Sequence, residues 1–155
     1  MDIKEKVDKL IHMYRTNEPF EIADRKNIPI IIEPLGDIWG YCHSYKRIQV
    51  IHLNSDLDYI DQRFSLAHEL AHVILHPKIN TGFLRMHTFF SAERIEREAN
   101  SFAVELLMPD SVLYTCELRS IFEIATVCGV PEELAELKKS SAKFFYPNSE
   151  HAFLY

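Results

Sequence analysis

The segment His68-Glu69-Leu70-Ala71-His72 sets two imidazoles four residues apart, with a carboxylate beside the first. On an α-helix, residues i and i+4 share a face, so His68 and His72 can aim at one metal ion. Glu69 then stands where a carboxylate could take a proton from a water that the ion activates. Two nitrogen ligands and a carboxylate base are the parts that zinc-assisted peptide hydrolysis uses. The plainer alternative is a pair of core histidines satisfied by hydrogen bonds. Burying two imidazoles and a carboxylate together without a partner is costly, which favours the metal.

An open zinc site needs a third protein ligand and leaves one position for water. His76 is nearest in sequence, but on a straight helix it sits two turns from His68, about 12 Å along the axis. The longer histidine pattern that bends the chain back is absent. His76 therefore reads as a polar residue near a helix end. The segment Glu93 to Pro109 offers carboxylates instead. Glu96 shares a helical face with Ala99, Asn100, Ala103 and Leu107, whose small residues permit close approach to the histidine helix. Glu98 shares its face with Phe102 and Glu105 and is more easily solvated. Glu96 is the favoured third ligand and Glu98 the second choice. Asn100, one turn on, could hold the ring of a ligand histidine. Without the histidines, Glu93, Glu96 and Glu98 would read as a solvated face interleaved with Arg94 and Arg97.

The elements that must position these groups are legible in outline. Asp56, Asp58 and Asp61 suit the start of the histidine helix, and Pro77 suits its stop. Between them the run is apolar on most sides, as in a buried helix. Residues 1 to 16 show an amphipathic helix, with Val7, Leu10, Ile11 and Tyr14 at helical spacing. Pro19 opens a short second helix to about Lys26. Ile28 to Ile32 reads as a strand that Pro29 limits to an edge or a start. Residues 39 to 45 and 47 to 53 suggest a hairpin whose turn lacks Gly or Asn. The connection from 77 to 91, with Gly82, Arg85, Met86 and His87, is long enough to line a cleft, although ordinary loop packing is the simpler role for Met86 and His87. Two or three helices follow Pro109. Tyr41, His43, Tyr45 and His87 are candidates for stabilising an oxyanion, and the edge near Gly40 to Tyr45 could align an extended peptide.

At 155 residues and 47% hydrophobic, one compact domain with a sizeable core is expected. A net charge of −6 without a basic run argues against direct nucleic-acid binding and suits a basic protein partner. No signal peptide and no membrane-spanning stretch is visible. Cys42, Cys116 and Cys128 are scattered and odd in number, as reduced thiols of a cytoplasmic protein would be.

Several segments together resemble the ImmA/IrrE family of metallopeptidases. They are His68-Glu69-Leu70-Ala71-His72, Asn80-Thr81-Gly82-Phe83-Leu84, and the run from Glu96 through Ala99-Asn100 to Met108-Pro109. Thr16 to Ala23, Gly40-Tyr41 and Ile48 to Asn54 fit as well, so the resemblance spans roughly residues 1 to 139. It implies an α+β, mostly helical zincin-like domain with a small mixed or antiparallel sheet packed on the active-site helix. It also implies a zinc-dependent endopeptidase with a gluzincin-like ligand set, Zn²⁺ held by His68, His72 and Glu96, and Glu69 as base. Its implied substrate is a helix-turn-helix repressor, cut to derepress a prophage, a mobile element or a stress response. The radiation-response branch carries a further sensor domain for which this chain is too short, so the short phage type is the nearer resemblance. The expected division is a catalytic core over 1–109 and a helical extension over 110–155.

A rival comes from the C-terminal part. Ile124 to Leu134 has the small-residue and glycine spacing of a helix-turn-helix, which would make the chain a DNA-binding module. Glu132, Glu133 and Glu136 on its second helix would face phosphates unfavourably. A third possibility is a binding module with structural zinc, against which Glu69 argues, since a closed structural site needs no base.

Overall fold

The computed structural model describes residues 2–81, 90–116 and 119–139, with side chains from Glu93 onward in the helix that begins at Phe90. The chain runs α1 (Ile3–Tyr14), α2 (Pro19–Arg25), β1 (Ile30–Glu33), β2 (Gly40–Tyr45), β3 (Ile48–Asn54) and α3 (Tyr59–Leu75). It continues through α4 (Phe90–Leu107), α5 (Asp110–Thr115), α6 (Ile121–Cys128) and a 3₁₀ helix (Glu132–Leu137). This is the expected α+β arrangement, mostly helical with one small sheet.

The sheet is mixed, with order β1-β3-β2. β1 lies parallel to β3, Ile31 opposite His52, and β2 is antiparallel to β3, Cys42 opposite Ile51. Pro29 precedes β1, which is an edge strand as its sequence requires. The β2–β3 turn is made by Lys46 and Arg47, both left-handed at φ 48° and 68°. That is the two-residue geometry matching strand twist, adopted here without the glycine or asparagine that usually relieves it.

Alternation places Gly40, Cys42, Ile51 and Leu53 on the face toward α3, where all are buried. The approach is close at Gly40. A Cβ there would lie 2.6 Å from Ser65 Oγ and 2.9 Å from the His52 carbonyl oxygen, so only glycine admits the strand. Asn54, almost wholly buried, braces the two loops that follow β1 and β3 at one end of the sheet. Its amide donates to the carbonyls of Gly36 and Ile38 at 2.9 Å, and its oxygen accepts from the Asp56 N–H.

Helix α3 begins where its acidic prelude indicates: Asp58 caps it by accepting from the Asp61 N–H at 2.9 Å. It ends at Leu75, before Pro77, and every residue from Phe64 to Val73 is buried. α4 packs against it through Ala99 and Ala103, both fully buried, so two small side chains set the close separation. α1 lies across α4, with Val7 in the core.

The C-terminal elements differ from a helix-turn-helix. α6 is capped by a reciprocal Ser120–Glu123 box and stops at Gly129, φ 73°, whose missing Cβ would lie 2.8 Å from Ile60 Cγ2. After Gly129 the chain forms a six-residue 3₁₀ helix rather than a second α-helix. Its Ala135 is buried, and so is Lys138 just after it. The Lys138 ammonium sits 2.5 Å from Glu105 and 2.9 Å from Asp110, spending its charge on α4 and α5. The would-be recognition helix is thus not α-helical. Among the described residues no helix is long and apolar enough to cross a membrane.

Candidate metal centre and its cleft

α3 carries His68, Glu69 and His72 on turns that are almost wholly inside the protein. Residues i and i+4 align, and the two Nε2 atoms converge to 3.1 Å. α4 brings Glu96 to the same point, its Oε2 3.1 Å from His68 Nε2 and its Oε1 3.3 Å from His72 Nε2. One ligand atom from each residue lies within 4.8 Å of the others, forming a group able to hold a metal ion.

The chemistry of this donor set fits a tetrahedral cation. Bonds of about 2.0–2.1 Å in that geometry keep ligand atoms roughly 3.3 Å apart, close to the separations here. Asn100 Oδ1 accepts from His68 Nδ1 at 2.8 Å, which turns the lone pair of Nε2 toward the cluster. Glu96 Oε1 is buried without a hydrogen-bond partner. Such an orphaned oxygen costs free energy unless a cation satisfies it. Burial alone works against ionisation of Glu96, but the close approach of His68 and His72 outweighs it and holds the carboxyl well below the usual carboxylate range.

The cluster floors a cleft of about 170 Å³ lined by Trp39, Phe64, Ser65, His68, Glu69, Glu96 and Asn100. Glu69 is 1% exposed and accepts from the Thr81 hydroxyl, with Oγ1 3.2 Å from Oε2. Burial, reinforced by the negative charge of Glu69, pushes the Cys42 thiol up to about 12, so it stays protonated and supplies no thiolate ligand.

The other candidates are not part of the cluster, although the His76 ring lies 5.8 Å from that of His72. Glu98 is paired with His76, Nε2 to Oε2 3.3 Å, and with Arg94, Nε to Oε1 2.9 Å. His76 ends α3, its backbone N–H on the His72 carbonyl, and burial lowers its pKa. Tyr41 and His43 stack with His52 on the sheet face opposite Cys42, and His52 in turn meets Glu33 at 2.7 Å. Tyr45 is exposed beside Lys46. None of the three lines the cleft. Met86 and His87 lie outside the described residues. Trp39, Cys42 and Thr81 are the neighbours that reasoning on residue types passed over. Only Thr81 had a signal, its place in the Asn80–Leu84 segment.

Residues 23–140 match the model of the Peptidase_M78 family, the IrrE N-terminal-like domain. The chain belongs to the ImmA/IrrE family of metallopeptidases. It is 43% identical over 142 residues to immunity region protein 2 of Bacillus phage phi105, covering 90% of each chain. Over 149 residues it is 34% identical to metallopeptidase ImmA of Bacillus subtilis strain 168, covering 92% of this chain and 87% of that one. The fold is also similar to that of a Mycobacterium tuberculosis transcriptional regulator, with a TM-score of 0.63 at 16% identity. There, 93% of this chain aligns with about half, 49%, of the longer one. A family of metallopeptidases implies a metal ion, and the His68, His72 and Glu96 group is where the described residues could hold it.

Proposed function

We propose that this protein is a zinc-dependent endopeptidase that cuts a helix-turn-helix transcriptional repressor in the cytoplasm and so lifts repression of a prophage, a mobile element or a stress regulon. The observation that carries the peptidase reading is the convergence of two imidazole nitrogens of α3 and a carboxylate of α4 at 3.1–3.3 Å, with a second, buried carboxylate on α3 beside His68. In this reading His68, His72 and Glu96 hold zinc, and Glu69 is the general base. All four fall in residues 1–109, the proposed catalytic core, and 110–155 form the helical extension. A zinc ion bound there supplies Lewis acidity, lowering the pKa of water and polarising the scissile carbonyl. Glu69 accepts a proton from the attacking water and returns it to the leaving amide nitrogen. Asn100 keeps the His68 ring in one tautomer. Trp39 and Phe64 give the cleft apolar walls that would seat a substrate side chain.

Support for a repressor as substrate comes from the immunity-region name of the phage relative and from the net charge of −6, which suits a basic partner. The test is incubation with the helix-turn-helix repressor encoded beside the gene, with and without a chelator. Chelator-sensitive appearance of two repressor fragments supports the reading. Tight binding of the repressor without cleavage would favour a non-proteolytic binding module instead.

A further inference from the structure

Thr81 is fully buried and stands at the junction of the edge strand β2 and the active-site helix. The Cys42 N–H donates to its Oγ1 at 2.7 Å. That bond fills one acceptor position of the hydroxyl and fixes where its single proton can point. Two oxygens compete for the proton at equal distance, the Cys42 carbonyl and Glu69 Oε2, each 3.2 Å away. Of the two, only Glu69 Oε2 belongs to a side chain whose terminal torsion can turn, so it is the one the hydroxyl can orient.

We propose that Thr81 is a positioning residue for Glu69: its hydroxyl, anchored on the Cys42 N–H, fixes the rotation of the carboxylate that faces the cleft. This rests on the assignment of Glu69 as general base given above. The terminal torsion of a glutamate is broad and roughly two-fold, so packing of the stem alone does not set where its oxygens lie. A buried donor on one oxygen does, and the Thr81 hydroxyl supplies one beside the Cys42 thiol, which also hydrogen-bonds Glu69. The Thr81 donor is itself tied to β2, which with β3 packs on the active-site helix, so base and cleft wall share one frame. Misplacing a reacting group by about 1 Å can cost on the order of 10²-fold in rate.

The experiment compares wild type, Thr81→Val and Thr81→Ser, all zinc-loaded, on the repressor encoded beside the gene. kcat and KM are measured separately, with zinc content and crystal structures of all three proteins. Valine keeps the shape and removes the hydroxyl, and serine keeps the hydroxyl. Thr81→Val is expected to lose roughly 10- to 100-fold in kcat with KM and zinc content near wild type. Thr81→Ser is expected to restore most of that loss, and the Glu69 carboxylate should be turned in the valine crystal only. Wild-type kcat in Thr81→Val, or equal loss in both variants, would overturn the proposal. So would a Glu69 carboxylate that keeps its orientation in Thr81→Val, even if no repressor is cut. A wild type that never cuts, with Glu69 turned in Thr81→Val, would count against the peptidase reading while upholding the hold of Thr81 on Glu69.

Discussion

Asn100 Oδ1 sits 2.8 Å from His68 Nδ1, and this one bond decides which nitrogen His68 presents to Glu96. Asn100 is on α4, one turn after Glu96, so the helix that brings the carboxylate also orients the imidazole. Asn100→Leu removes the acceptor at similar volume and frees the ring to flip or change tautomer. Zinc affinity should fall about 10- to 100-fold with the fold retained, as is typical when an outer partner of a ligand histidine is lost. Chelator competition measures it, and an unchanged affinity would show that the bond has no part in holding the metal.

Glu96 and Glu98 differ in what they face. Glu96 meets His68 and His72, whereas Glu98 meets His76 and Arg94. Elemental analysis of Glu96→Ala should therefore show loss of zinc, and Glu98→Ala should keep about one ion per chain. The reverse pattern would move the third ligand to Glu98.

Local pattern carried much of this molecule. The spacing of His68 and His72 fixes their shared face through helix geometry alone, and Ala99 and Ala103 mark the face on which α4 can approach. What depends on the path of the chain was hidden. Thr81 reaches Glu69 only because residues after Pro77 fold back against β2, a contact with no periodicity to betray it. The Lys46-Arg47 turn shows two non-glycine residues held left-handed by strand pairing on either side. The Ile124–Leu134 segment has the glycine spacing of a helix-turn-helix. Yet Gly129 is shaped by its contact with Ile60, and the burial of Lys138 anchors the chain just after the 3₁₀ helix.

Lys138 tests how that segment is held. Its ammonium and the Glu105 carboxylate are both almost wholly buried, and Lys4 joins the same group through Glu105 and Asp110. Lys138→Ala leaves a buried carboxylate short of its closest partner. The expected loss is about 3–5 kcal/mol of unfolding free energy, the usual cost of breaking one half of a buried pair. Urea unfolding reads it, with zinc content expected to stay near wild type. An unchanged midpoint would mean that Lys4 and the Lys139 N–H suffice to satisfy Glu105.

Glu69→Gln tests the central claim most directly. The amide keeps the size of the side chain and can still accept from Thr81, but it cannot take a proton from water at neutral pH. Zinc-loaded wild type and Glu69→Gln are incubated with the repressor encoded beside the gene, and the products are followed by mass spectrometry. The expected result is two repressor fragments with wild type. Glu69→Gln, with equal zinc and an intact fold, should cut about 10²–10⁴-fold more slowly, the usual cost of losing a general base. Cleavage at the wild-type rate by folded, zinc-loaded Glu69→Gln would contradict the account.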